Sequence, residues 1–200
     1  MSALTELYQE VENCRDCELA GYRTRVVPGE GPEDAELLFI GEAPGWYEDQ
    51  QGRPFVGPAG AFLNHLLDLI SLTRSQIYIA NVIKCRPPQN RDPLPAEIQA
   101  CHKWLDRQID IIHPRMIITL GRYSLARYFP NETISKVHGR ARKIGDTICY
   151  PMYHPAAALH QGALRQTIED DMLRIPQLLA QNETIAVAEI EPEPQQLDLF

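Results

Sequence analysis

No stretch of this chain approaches the roughly 18 apolar residues that a bilayer-crossing helix needs, so a membrane span is not expected. The first residues lack the apolar centre of a secretory signal, because 2–12 is too polar. The chain is therefore expected in a reducing cytoplasm, where disulfides are not maintained. Basic residues are also scarce. There are 19 Lys and Arg against 27 Asp and Glu, and a formal net charge of −8 by itself argues against a polyanionic partner.

The distribution of charge argues the other way. Residues 1–73 carry a net −9, residues 74–143 a net +8, and residues 144–200 a net −7. A basic middle inside an acidic chain is a candidate polyanion-facing surface. A solvated face balanced by its acidic neighbours explains the same numbers. A chain of 200 residues, 44% of them hydrophobic, can bury one full core and leave a tail over.

Cysteine carries the most specific spacing. Cys14 and Cys17 form a C-x-x-C pair, and Cys85 and Cys101 make a second, distant pair that the fold must bring back. Four converging thiolates bind zinc or an iron–sulfur cluster, and spacing alone does not choose between them. Buried core thiols are the alternative. The polar, Pro-bearing surroundings of both pairs (ENCRDC and KCRPP) argue against it. Cys149 lies in an apolar run and reads as a core thiol.

Four short, nearly continuous apolar runs, 36–41, 76–83, 115–121 and 147–153, read as strands covered on both faces. Helical patterns lie at 3–13, 59–72, 95–112, 123–129 and 163–179, the last ended or kinked by Pro176. The alternation predicts an α/β fold, a three-layer αβα sandwich around a four-stranded, mainly parallel sheet. Ligands in such folds bind beyond the carboxyl ends of the strands.

The segments after the strands are rich in Gly and Pro. GEAPGWYED and GRPFVGPAG follow the first strand, NVIKCRPPQNR the second, and YHPAAAL the fourth. Together they offer Glu42, Glu48, Phe55, Asn81 and His154. Phe55 can stack on a flat ring, and Asn81 presents a donor and an acceptor side by side to a base edge. His154, fixed just before a proline, can meet developing negative charge. The loop 55–60 runs into a helix start, where free N–H groups suit an anion. Singly these are ordinary residues: Asn81 could cap a turn, His154 and Phe55 could be structural, and Glu42 and Glu48 could be solvated. In conjunction they describe a pocket for a planar heterocycle on a phosphate backbone.

The runs GEAPGWYEDQQGRPFVGPAG, NVIKCRPPQNRDP and YHPAAAL resemble the three signature segments of family 4 uracil-DNA glycosylases, and the four cysteines resemble that family's [4Fe–4S] ligands. The likeness covers roughly 5–180. It implies iron–sulfur rather than zinc, and hydrolytic removal of uracil from single- and double-stranded DNA. It further implies that Phe55 stacks on the flipped base, that Asn81 reads the N3/O4 edge, and that Glu48 crowds the 5-position against thymine. His154 would stabilise the uracil anion through O2, and Gly41, Glu42 and Ala43 would hold O2 or the attacking water. Better-known glycosylases place a carboxylate where this chain has Ala43, a departure shared by the family, so Glu42 becomes the candidate water-positioning group. Lys84, Arg86, Arg91, Arg140, Arg142 and Lys143 are candidate phosphate contacts, and Leu159, with His160, a candidate wedge into the duplex.

Beyond 1–180, residues 181–194 read as a disordered acidic linker. The end, Gln196, Leu197, Asp198, Leu199 and Phe200 within 195–200, resembles the peptide by which bacterial repair proteins dock on the sliding clamp. The resemblance thus implies a monomeric bacterial enzyme near the nucleoid. Two rivals remain. A non-catalytic uracil-DNA trap is disfavoured because the segment 86–92 carries no histidine. An iron–sulfur clamp adaptor is disfavoured by the filled pocket set.

Overall fold

The computed structural model describes residues 2–181. In chain order the elements are α1 (Ala3–Asn13), β1 (Leu37–Gly41), α2 (Trp46–Gln51), α3 (Pro58–Leu69), β2 (Tyr78–Asn81), α4 (Pro95–Ile112), β3 (Met116–Leu120), α5 (Arg122–Ala126), α6 (Ile134–Val137), β4 (Arg142–Ile144), β5 (Thr147–Met152), α7 (Pro155–His160), α8 (Ala163–Leu173) and α9 (Ile175–Ala180). The strands order as β2-β1-β3-β5-β4. The first four in that order run parallel, and β4 pairs antiparallel with β5 at the edge.

The parallel strands are buried on both faces because successive side chains feed opposite cores. Leu37 and Phe39 pack with Ile77, Ile79, Ile118 and Tyr150 under α3 and α8. Leu38 and Ile40 pack with Tyr78, Ala80 and Ile117 under α1 and α4. This period-2 division between two helical layers produces the three-layer sandwich. Cys149 is 1% exposed, in a small cluster with Leu125, Phe129 and Val137, as a core thiol should be.

The sheet has five strands, not four. β4 carries two cations and no apolar run, so hydrophobic patterning does not reveal it; such charges also guard a sheet edge. α2 and α7 occupy segments read as loops. The helical stripe at 163–179 divides after Leu173, and Pro176 sits in the first turn of α9, where its missing N–H is harmless. Among the described residues no helix is long and apolar enough to cross a membrane.

Candidate active site

The sheet register builds the pocket. Gly41 at the end of β1 pairs with Asn81 at the end of β2. A Cβ on Gly41 would lie 2.4 Å from Asn81 Oδ1 and 2.7 Å from the Phe55 ring, so only glycine lets these two side chains pack this close to the end of β1. At the next edge, Gly121 follows β3 with φ +88°, and a Cβ there would come within 3.1 Å of His154 Cβ. Phe55 and His154 rings stack at 5.4 Å with a 26° tilt. Gly41, Phe55, Asn81 and His154 thus share one site.

Phe55 is held there under strain. Its φ of +52° lies in the left-handed region, unusual for a bulky residue and worth about 1–3 kcal/mol. Arg74 offsets this by donating to the carbonyls of Pro54 (2.6 Å) and Phe55 (3.0 Å). Glu48 works from the other side. Its carboxylate accepts from the amides of Gly45, Val56 and Gly57 at 2.9–3.1 Å. Hydrogen bonds to charged groups contribute about 1.5–3 kcal/mol each, enough to outweigh the strain. Glu48, expected at the 5-position of a base, is therefore also the clamp of the loop that carries Phe55.

Asn81 is 2% exposed and its Oδ1 has no hydrogen-bond partner. A buried, unmade hydrogen bond costs about 1–3 kcal/mol. This acceptor packs against Gly41 beside the Phe55 ring, and no protein donor reaches it.

His154 caps α7, and its Nδ1 accepts from the Ala156 amide at 3.1 Å. Nδ1 is thereby the acceptor nitrogen, and the neutral ring carries its proton on Nε2. Burial lowers its pKa to about 4, partly opposed by the Glu48 charge. At neutral pH the ring is an uncharged Nε2–H donor. Glu42 has the opposite shift. Burial and the nearby Asp92 raise it to about 6, with Arg122 pulling the other way.

The four cysteines meet on the far side of β2. Cys14 and Cys17 follow α1, Cys85 lies past β2, and Cys101 is in α4. All four line one small cavity of about 10 Å³ with Val11, Arg23, Lys84 and Trp104. None is in a disulfide. Cys85 Sγ accepts from Arg23 (3.1 Å), and Cys101 Sγ accepts from the Lys84 amide (3.3 Å). Among the described residues no three His, Cys, Asp or Glu close on a single ion. The thiols surround a space rather than a point.

Lys84 requires a correction. Expected to contact phosphate, it is 1% exposed. Its Nζ donates to the Asn81 carbonyl (2.9 Å) and to Gln108 Oε1 (2.6 Å). Gln108 in turn donates to Tyr78 OH and the Pro28 carbonyl. A buried polar network thus ties the cysteine cage to the end of β2, and Lys84 reaches no phosphate. Arg91 and Arg142 are ion-paired with Glu97 and Glu132. Arg86 bonds Asn90. Among the described residues no carboxylate pairs with Arg86, Arg140 or Lys143, nor with Lys136, which the sequence reading did not single out. Leu159 is 51% exposed on α7, five residues after His154. The clamp-like peptide at 195–200 and all of the linker after Gln181 lie outside the described residues.

Sequence reasoning missed Arg74 and Gly121, which hold the site without entering it. Only their distant neighbours reveal them. A groove of about 710 Å³ also lies among Tyr8, Arg23, Arg25 and Gly52, but none of the unpartnered buried side-chain atoms lines it.

With this geometry in view, comparison with known proteins is informative. Residues 28–174 match the model of the uracil DNA glycosylase superfamily. A type-4 uracil-DNA glycosylase from Sulfurisphaera tokodaii is 47% identical over 188 residues, covering 89% of this chain and 86% of that protein. One from Saccharolobus solfataricus is 43% identical, covering 90% and 88%. One from Archaeoglobus fulgidus is also 43% identical, covering 89% and 94%.

Proposed function

From the premise that this chain belongs to the uracil DNA glycosylase superfamily, we propose a division of labour within its pocket. The chain is a uracil-DNA glycosylase: it excises uracil from DNA by hydrolysing the N-glycosidic bond and leaves an abasic site. The residue roles that follow are our reading.

Phe55 carries the flipped base on its face. Its ring lies 5.4 Å from that of His154 at a tilt of 26°, a separation of offset stacking that sets the imidazole to one side. A base stacked on Phe55 then lies edge to edge with the imidazole. Asn81 Oδ1 accepts from uracil N3–H and the amide donates to O4. Cytosine offers no N3–H and a donor at position 4, so both contacts are lost. The C1′–N1 bond breaks with its electron pair moving onto uracil N1 and O2, and the sugar becomes oxocarbenium-like. The neutral Nε2–H of His154 donates to O2 as this charge develops. Such a donor is worth about 3–4 kcal/mol in a transition state. Water adds to C1′ and its proton leaves through Glu42, which is ionised above about pH 6. Base flipping costs a few kcal/mol, offset by phosphate contacts from Arg86, Arg140 and Lys143, with Leu159 filling the vacated stack.

The single observation that carries this reading is the buried, unpartnered Asn81 Oδ1 beside Phe55 and His154. Incubating the protein with a uracil-containing oligonucleotide and then alkali tests it. Strand scission at uracil, and none at cytosine, is the expected result. An intact strand, or a covalent protein–DNA adduct, contradicts it.

The cysteine cage fits a [4Fe–4S] cluster: four thiols around a shared space, with N–H donors already aimed at two sulfurs. When bound, the cluster supplies cross-links between the N-terminal segment, the end of β2 and α4. Cys14, Cys17, Cys85 and Cys101 would hold it. At the far end, residues 195–200 tether the enzyme to the sliding clamp and raise its effective concentration near replicating DNA. Deleting them should abolish clamp binding while excision on short oligonucleotides continues; persistent clamp affinity would refute the tether.

A further inference from the structure

Two large aromatic side chains stand in solvent beside the pocket, and nothing in the reaction above uses them. Trp46 and Tyr47 open α2 with 51% and 48% of their surface exposed. Their rings meet edge to face at 5.0 Å and 86°. The rest of the helix is firmly held. Asp49 is 1% exposed and accepts from the Thr24 amide at 2.8 Å, and Gln50 donates to Thr24 Oγ1. Glu48 clamps the loop at Val56 and Gly57. The outward aromatic pair is therefore presented by an anchored helix. Adjacent exposed rings of this size mark a contact surface more than a folding need.

Their position indicates what the contact is. A Cβ on Gly57 would lie 3.0 Å from Tyr47 Cδ2, so Tyr47 packs against the loop two residues beyond Phe55. Tyr47 thus borders the loop that carries Phe55, and Trp46 stands against Tyr47. We infer that Trp46 and Tyr47 form a stacking platform for the nucleobase next to the target uracil on the same strand. This rests on the function proposed above and extends it. When uracil leaves the stack, its neighbour loses a partner on one face. An aromatic side chain replaces that partner at about 1–3 kcal/mol per base, whatever the base. That is comparable with the few kcal/mol of flipping. The perpendicular arrangement suits this role, because one ring offers its face while the other props it by the edge.

Tryptophan fluorescence tests the platform apart from catalysis. The chain has two tryptophans, and Trp104 is only 6% exposed, so Trp46 is the one within reach of acrylamide. Titration with a single-stranded oligonucleotide that lacks uracil should quench the emission and protect it from acrylamide, and Trp46→Ala should remove the response. On a uracil-containing single strand, Trp46→Ala should raise KM about 10-fold with kcat unchanged, and Trp46→Phe should restore most of the loss. Unchanged KM in a Trp46→Ala/Tyr47→Ala double variant, or undiminished acrylamide access in the bound wild type, would overturn the platform. If the uracil-free strand protected Trp46 but the wild type excised no uracil, the platform would stand and the proposed reaction would fall.

Discussion

The pocket at the end of β2 and the cysteine cage just beyond it contrast sharply. On the pocket side, Asn81 keeps an acceptor unsatisfied, Phe55 holds a left-handed backbone, and His154 is neutral and solvent-poor. On the cage side, only a few residues further along the chain, Lys84 and Cys85 are buried and bonded within the protein. In the first region a base-reading acceptor is left open; in the second, Lys84 and two of the four cysteine sulfurs are bonded within the protein, while Trp104 Nε1 has no partner. Reactivity and rigidity are thus assigned to neighbouring stretches of chain, joined by the bond from Lys84 Nζ to the Asn81 carbonyl. Changes in the pocket should act on rate, and changes in the cage on stability.

The largest effect belongs to the pocket. His154→Ala should lower single-turnover excision by at least about 100-fold while thermal stability stays close to wild type, read by rapid quench and by a melting curve. Next comes the cage. Cys17→Ser should cost iron content and lower Tm by about 10 °C or more, yet leave the single-turnover rate of the folded protein at 25 °C within about threefold. A rate loss as large as that of His154→Ala would end the distinction between the regions. The Glu42→Gln variant sharpens the pocket side. A carboxylate that titrates at about 6 gains its charge as pH rises, so wild-type excision should climb between pH 5 and pH 7. Glu42→Gln should flatten that limb, and an unchanged profile would assign the water to another group. Smallest in rate is the connecting residue. Lys84→Met takes the donor from the Asn81 carbonyl and from Gln108 Oε1 and should cost about 1–3 kcal/mol of stability, with a loss of uracil-over-cytosine discrimination smaller than that of Asn81→Ala.

Much of this was legible beforehand, for physical reasons. The parallel strands are continuous apolar runs because both faces are covered, and α1 and α4 show full helical stripes. The pocket residues stood out because Gly and Pro shape the segments after the strands, and the structure gathers Gly41, Phe55, Asn81 and His154 there. What escaped depends on long-range contact. Lys84 looks like a surface cation beside arginine and prolines; its burial rests on Gln108, 24 residues away. The pairing of Arg142 with Glu132 and the polar edge strand β4 carry no periodic signal. Arg74 gives no sequence clue that it supports Phe55, 19 residues earlier.

The central claim is that the pocket stabilises negative charge on the departing base. The most direct measurement compares the His154→Ala penalty on uracil with that on 5-fluorouracil, a leaving group that carries charge more easily. The account predicts a penalty clearly smaller for 5-fluorouracil, by about tenfold. Equal penalties on the two bases would contradict it.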